Sequence, residues 1–187
     1  MRQLARAILF VIVVAFGASA SAEDIHITTS TLRLQDEALV LDADFEFELG
    51  PRLEEALDRG IPLYFLVEFE LSRPRWYWLD EKVVQRSQKW RLWYYALTRQ
   101  YRLSSGNLHQ SFDTLEEARR TLSRTRGWVV AEAPPIQPDR VYQAQLRMRL
   151  DSSELPKPFQ ASALANREWK LVSDWWRFNW STREGGR

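Results

Sequence analysis

The sequence predicts a mainly β fold: an antiparallel β-sandwich, immunoglobulin-like in general shape, with one main helix at about 114–126 and one short helix at about 51–59. Three observations carry this expectation. Several runs alternate apolar and polar residues with a period of two, the pattern of a strand with one buried face. The strands do not alternate regularly with helices, which argues for antiparallel sheets over βαβ units. There is no Cys to form a disulfide, so stability must come from burial, and nine Trp, nine Phe and six Tyr supply the material, each ring able to bury roughly 150–250 Å².

Taken in order, Ile25 to Leu34 reads as an opening strand closed by Gln35-Asp36-Glu37. The next run is the cleanest: Leu41, Ala43, Phe45, Phe47 and Leu49 alternate with Asp42, Asp44, Glu46 and Glu48. Gly50-Pro51 ends that strand, and Leu53, Ala56 and Leu57 fit the short helix, with Pro51 near its first turn and Gly60 as its stop. Leu63 to Leu71 is a further strand, with Leu63, Phe65, Val67, Phe69 and Leu71 on one face and Glu68 and Glu70 on the other. From Lys89 to Leu103 the chain is aromatic and β-prone, but its apolar side changes phase near Ala96-Leu97-Thr98, which predicts a bulge or a crossing between sheets. Ser104-Ser105-Gly106-Asn107 reads as a hairpin turn into Leu108 to Phe112.

Asp113 or Thr114 is expected to cap the main helix, with Glu116 or Glu117 completing a capping box. Leu115, Ala118 and Leu122 form its buried stripe, and Arg119, Arg120, Arg124 and Arg126 gather where cations suit the helix dipole. Gly127 is read as its stop, and the helix is expected to cover an end or edge of the sheets. Trp128 to Ala131 is a short strand, 134–138 a stiff connection, and Tyr142 to Leu150 another half-buried strand. An irregular stretch from Leu155, with one helical turn, precedes a closing strand from Trp169 to Trp180.

The N-terminus indicates where the protein works. Arg2 and Arg6 precede an apolar run from Ala7 to Ala18 and a small-residue site at Ala20-Ser21-Ala22, the order of a secretory signal peptide cleaved after Ala22. The run falls short of the roughly 20 apolar residues a membrane helix needs. The expected organisation is therefore a signal peptide at 1–22, a single β-sandwich domain at 23–181 and a polar tail at 182–187. The expected location is the bacterial periplasm, with no stable membrane anchor after cleavage. Without Arg2 and Arg6 the 26 basic side chains fall to 24 against 25 acidic ones, a balance that argues against nucleic acid as a partner.

Motifs for catalysis are sparse. The two His, His26 and His109, are far apart in sequence, and no Gly-x-Ser-x-Gly elbow is present. His109 is read as structural. Two distant His without Cys do not make an ordinary zinc site, and no phosphate-cradling Gly loop appears. No cofactor, no metal and no catalytic residue is expected. The acidic row Asp42, Asp44, Glu46 and Glu48 reads as a solvated strand face. A carboxylate pair drawn from separate elements, as in a hydrolase, stays open because one sequence does not reveal it.

The surplus of aromatic residues is the unusual feature. Trp76-Tyr77-Trp78, Trp90 to Tyr95 and Trp175 to Trp180 each place rings on both faces of a strand. One face of each serves the core; the other is covered by the chain or meets a partner, a glycan or a lipid. Arg73, Arg75, Trp76 and Trp78 form the candidate interaction surface, because both Arg favour solvent and adjacent residues of a strand point oppositely. Stacking of Arg75 on a neighbouring ring is the plainer reading of the same residues.

The strings Trp90-Arg91-Leu92, Leu97-Thr98-Arg99-Gln100-Tyr101-Arg102-Leu103, Gln110-Ser111-Phe112 and Thr114-Leu115-x-Glu117-Ala118 resemble a family of uncharacterised exported bacterial proteins, domain of unknown function 4390. Leu155-Pro156-Lys157-Pro158-Phe159-Gln160, followed by Trp169, Ser173, Trp175, Trp176, Arg177 and Phe178, fits the same family. The resemblance spans nearly the whole mature chain and brings no activity, cofactor or site residue. It implies, by gene neighbourhood alone, an accessory role near the periplasmic part of a membrane sensor histidine kinase. The expected function is a non-catalytic protein-interaction or accessory module with a membrane or periplasmic protein partner. The alternatives are a glycan- or lipid-binding module with a Trp/Arg surface and a carboxylate-based hydrolase.

Overall fold

The computed structural model describes residues 24–75 and 80–183; the expected signal peptide at 1–22 and the end of the expected tail lie outside them. In chain order the elements are β1 (His26–Gln35), β2 (Ala38–Glu46), α1 (Pro51–Asp58), β3 (Leu63–Arg73), β4 (Glu81–Tyr95), β5 (Gln100–Ser105), β6 (Leu108–Phe112), α2 (Leu115–Leu122), β7 (Arg124–Glu132), β8 (Val141–Leu150), α3 (Lys157–Ala165) and β9 (Trp176–Ser181). Short 3-10 turns at Ser152–Glu154 and Arg167–Trp169 flank α3. The strands form two antiparallel sheets, a three-stranded one in the order β1-β2-β7 and a six-stranded one in the order β6-β5-β4-β3-β8-β9. The arrangement is the expected β-sandwich.

The period-two runs decide which faces meet. Leu39, Leu41, Ala43 and Phe45 of β2 are buried, as are Leu63, Phe65, Val67, Phe69 and Leu71 of β3 and Tyr142, Ala144, Leu146, Met148 and Leu150 of β8. Side chains on alternate positions of both sheets thus interdigitate into one core. Two hydrogen bonds join the layers: the Trp180 indole N–H of β9 donates to the Leu32 carbonyl of β1 (2.9 Å), and the Arg86 Nε of β4 to the Val130 carbonyl of β7 (3.3 Å). These contacts set β9 against β1 and β4 against β7, so β5 and β6 extend past the smaller sheet. There α2 packs against them with Ala118 and Leu122 buried, and Leu115, Tyr101 and Phe112 adjoin the same core.

Several element boundaries differ from the sequence reading. Thr114 caps α2 as expected, its hydroxyl accepting from the Glu117 N–H at 3.2 Å, but the helix ends at Leu122 and not near 126. Arg124 and Thr125 instead pair with Asp44 and Ala43 of β2, and Thr125 is buried. Its β-branched side chain suits a strand. Gly127 is consequently not a helix stop. With φ +60° it lies in a bulge where Arg126 and Gly127 together face Asp42, whose carboxylate accepts the Gly127 N–H at 2.7 Å.

The phase change near Ala96 is a hairpin turn, with Arg99 at φ 54°, and not a sheet crossing. Before it, β4 runs unbroken from Glu81, hidden in the sequence because Arg86 and Gln88 occupy inward positions at the open side of the sandwich. β2 ends at Glu46, yet Phe47 and Leu49 remain buried beyond it. The stretch after Leu155 holds a full helix, α3, since Pro158 fits a first turn whose N–H groups have no intrahelical partner anyway. The expected closing strand divides into the 3-10 turn at Arg167–Trp169, an isolated bridge between Val172 and Arg149, and β9.

Candidate functional site

The outer face of the six-stranded sheet, turned away from the core, gathers arginines and aromatic rings from five strands. On β4 the pleat sends Trp90 and Leu92 inward and Arg91, Trp93 and Tyr95 outward. Cross-strand register then places Tyr64 of β3 beside Arg91, and Arg102 of β5 beside Trp93. On the other side of β3, Glu68 stands beside Arg147 of β8 and Glu70 beside Gln145, which in turn neighbours Arg177 of β9.

The face has two halves of different chemistry. In the β3–β8 half, cations meet carboxylates: Glu68 accepts from Arg147 at 2.7 and 2.9 Å and from Arg149 at 3.1 Å. Glu70 accepts from Lys82, Gln85 and Gln145 at 2.8–3.1 Å. In the β4–β5 half, cations meet rings. The Arg91 guanidinium lies 4.5 Å from the Trp93 ring centre and 5.9 Å from that of Tyr64, and the Arg102 guanidinium lies 4.0 Å from that of Tyr95. Among the described residues neither Arg91 nor Arg102 forms an ion pair, and the buried Nε of Arg102 has no hydrogen-bond partner. Lys89, between the halves, is bound to Glu154 at 2.5 Å, and that hydrogen bond raises its pKa above the usual lysine value.

A guanidinium stacked on a ring keeps its in-plane N–H donors directed sideways, free to grip a carboxylate with two bonds. The β4–β5 half is therefore equipped to recognise negative charge. The remaining outward residues there are polar and hydrogen-bonding: Ser104, His109, Ser111 and Gln100. A third stack, Arg147 at 4.3 Å from the Trp175 ring centre, joins the paired half to β9.

The residues singled out from sequence fare differently. Arg73 and Arg75 both donate to the same Glu81 oxygen, Arg75 at 2.5 Å, and the Arg75 N–H reaches Asp80 at 3.4 Å. These two hydrogen bonds, from Arg73 and then Arg75, hold the Glu81 carboxyl below the ordinary glutamate value of 4.5. Both Arg thus close the β3–β4 connection internally, where the sequence suggested that each would simply favour solvent. Trp76 and Trp78 lie outside the described residues. Among the described tryptophans, Trp90, Trp169 and Trp180 are buried, Trp93, Trp128 and Trp175 are half-buried, and Trp176 is 42% exposed. The signal for the stacked cluster was present as Arg91-x-Trp93-x-Tyr95, one face of a strand, but the pairing with Tyr64 and Arg102 depends on register.

Other features are chemically plainer. His26 and His109 lie on edge strands of different sheets and do not meet. The acidic row of β2 is largely ion-paired: Asp42 to Arg33, Asp44 to Arg126, and Glu48, just beyond the strand, to Arg119. Burial acts to raise the Asp44 pKa, but hydrogen bonds from Thr29 and Arg126 and the charges of Arg126 and Arg124 outweigh it and lower the value. A cleft of about 290 Å³ between α1 and the turn at Arg167–Trp169 is lined by Arg52, Glu55, Arg59, Phe159, Asn166 and Trp169. Its cations are already engaged, Arg52 with Glu55 and Glu168, and Arg59 with Glu55. Among the described residues no group of three His, Cys, Asp or Glu is placed to hold a metal ion, and no helix is long and apolar enough to cross a membrane.

No curated protein and no solved structure matches the chain. The model of a domain of unknown function, DUF4390, does match, over residues 22–179. That span takes in the strands carrying the arginine–aromatic face, β9 as far as Asn179, together with α1, α2 and α3. The chain accordingly belongs to the DUF4390 family.

Proposed function

We propose that this chain is an exported, non-catalytic interaction module that works in the periplasm beside a membrane protein, a sensor kinase being the suggested class. The observation that carries the reading is the outer face of the six-stranded sheet, where Arg91 and Arg102 stack on Trp93, Tyr64 and Tyr95 without a carboxylate partner. Arg, Trp and Tyr are the residues enriched at the energetic centres of protein interfaces. The leader-like N-terminus, Arg2 to Ala22, supports export.

A glycan- or lipid-binding module is the alternative, and exposed Trp176 favours it. It has less support on the sheet face, because each of the Trp93, Tyr95 and Trp175 rings already has a guanidinium over it, leaving less ring surface for a sugar. A hydrolase built on two carboxylates has the least support: Glu68 and Glu70, neighbours on that face, are both engaged with cations.

Cross-linking in intact cells followed by purification of the tagged full chain tests the reading. The expected result is a discrete membrane protein among the adducts, with altered kinase output on gene deletion. Adducts that never include a membrane protein, together with unchanged kinase output, would overturn it. Mass measurement of the exported form tests the address: the expected species begins at Glu23, after loss of residues 1–22.

A further inference from the structure

We propose that the β4–β5 half of this sheet face receives an acidic segment of a partner protein, gripped by Arg91 and Arg102 through its carboxylates. The proposal rests on the interaction-module reading and adds to it a position and a partner chemistry.

Charge complementarity selects the occupant. Along the outward rows His109–Ser104–Arg91–Tyr64 and Ser111–Arg102–Trp93 there are two guanidiniums and no carboxylate. The nearest acidic groups on neighbouring elements have partners of their own: Glu154 binds Lys89, Asp151 binds Arg149, Glu68 binds both Arg147 and Arg149, and Asp113, just past β6, accepts from Gln100 at 3.2 Å. The fold thus neutralises Arg147, Arg149, Lys82 and Lys89 and leaves Arg91 of β4 and Arg102 of β5 without a carboxylate among the described residues. Arg102 shows the consequence in one atom, since its Nε is buried without any acceptor. A carboxylate arriving from outside brings acceptors for the exposed edges of these guanidiniums, and charge-assisted bonds of this kind are roughly twice as strong as neutral ones.

The shape of the patch favours a protein over the other anionic surfaces. Trp93, Tyr95 and Tyr64 are half-buried on the sheet face, toward the end of β4 and the start of β3, so these rings do not project as a bilayer-inserting tip does. Guanidiniums lie over the rings of Trp93 and Tyr95, which removes stacking area that a sugar would use. An extended acidic chain needs neither insertion nor a bare ring. It needs forked donors on a flat, preorganised base, and the stacking holds both Arg in one place, limiting the entropy lost on binding.

The test uses the protein purified after expression of the full chain, with an acetylated and amidated octaglutamate peptide as the probe. The expected result is binding that perturbs the Trp93 indole and the amides of Ser104 and Ser111, and that weakens steeply between about 20 and 200 mM salt. Replacing both cations (Arg91→Ala with Arg102→Ala) should lower the affinity roughly tenfold or more. The double control Arg120→Ala with Arg124→Ala, on α2 and β7, should leave it unchanged. Near-ultraviolet circular dichroism of the first double variant confirms that the aromatic packing survives; if it does not, Arg91→Lys with Arg102→Lys replaces it, and a loss of affinity is again expected because Lys lacks the fork. Octaglutamate that fails to bind, binds at unrelated amides, or binds equally well to both double variants overturns the proposal. So does a stronger response at the same amides to phosphatidylglycerol vesicles or to oligogalacturonate. If the chain still cross-links to a membrane protein in cells after any of these failures, the interaction module stands and only this patch and its acidic occupant fall.

Discussion

Two halves of one sheet face use the same residue type to opposite ends. Over β3 and β8, Arg147 and Arg149 converge on Glu68 and spend their hydrogen-bonding capacity inside the molecule. Over β4 and β5, Arg91 and Arg102 rest on rings and retain it. The strand geometry is the same in both; what differs is the neighbour that register delivers. A carboxylate within reach makes an arginine structural, whereas an aromatic ring beside it, on its own strand for Arg91 and on the neighbouring strand for Arg102, fixes its position and leaves its polar edge open. The clamp of Arg73 and Arg75 on Glu81 belongs to the first class, which is why residues that looked most available in sequence are committed in the fold.

The largest expected effect comes from removing the base both halves share. Phe69 is fully buried directly beneath the paired half, between Glu68 and Glu70, and Phe69→Ala should cost about 3–5 kcal/mol by chemical denaturation. A much smaller loss would mean that the two sheets do not share a continuous core.

Next in size is the paired half itself. Glu68→Ala strands the half-buried Arg147 guanidinium, leaves Arg149 only its contact with Asp151, and should cost roughly 1–2 kcal/mol, between the values for exposed and buried pairs. Arg102→Ala, in the stacked half, should cost at most about 1 kcal/mol, the worth of one cation–π contact. The comparison breaks if denaturation midpoints put the two variants in the reverse order.

The finest distinction is in acid. Because the folded Glu81 pKa is depressed, its stabilising interaction with Arg73 and Arg75 is fully present above the ordinary value of 4.5 and is lost as pH falls through the lower folded value. Arg91 and Arg102 have no carboxylate to protonate. An NMR titration should therefore move the guanidinium signals of Arg73 and Arg75 in acid while those of Arg91 and Arg102 stay still. Arg73→Ala should shift the Glu81 midpoint upward. Guanidinium signals that all move together would erase the difference between the halves.

Much of the fold was legible in the residues. The alternation in 41–45, 63–71 and 142–150 names the inward faces directly, because a pleated strand with one dry side leaves a period-two record. The Thr114 cap was legible too, since a hydroxyl three residues before an acidic position answers a local need for backbone N–H partners. Boundaries were less so. Arg124 to Gly127 carry helix-compatible residues and a helix-stopping Gly, and only the pairing with Asp42, Ala43 and Asp44 of β2 makes them a bulged strand. β4 hid its first half because Arg86 and Gln88 sit inward at an open side of the sandwich, where alternation no longer reports the core.

The sequence by itself determined a disulfide-free, aromatic-rich β domain, with the rings of 90–95 divided between two faces. Local pattern suffices there, since each residue's direction follows from its position in the pleat. Tertiary structure alone decided which arginines are spoken for. Glu68 and Arg147 are 79 residues apart in sequence and Glu81 and Arg73 only eight, yet both pairs meet, so sequence spacing does not foretell either contact. Charge neutralisation depends on which side chains come within a few ångströms across strands, and that is a property of register and strand order. Hence Arg73 and Arg75 are paired with Glu81 while Arg91 and Arg102 rest on rings, although both pairs adjoin aromatic residues along the chain.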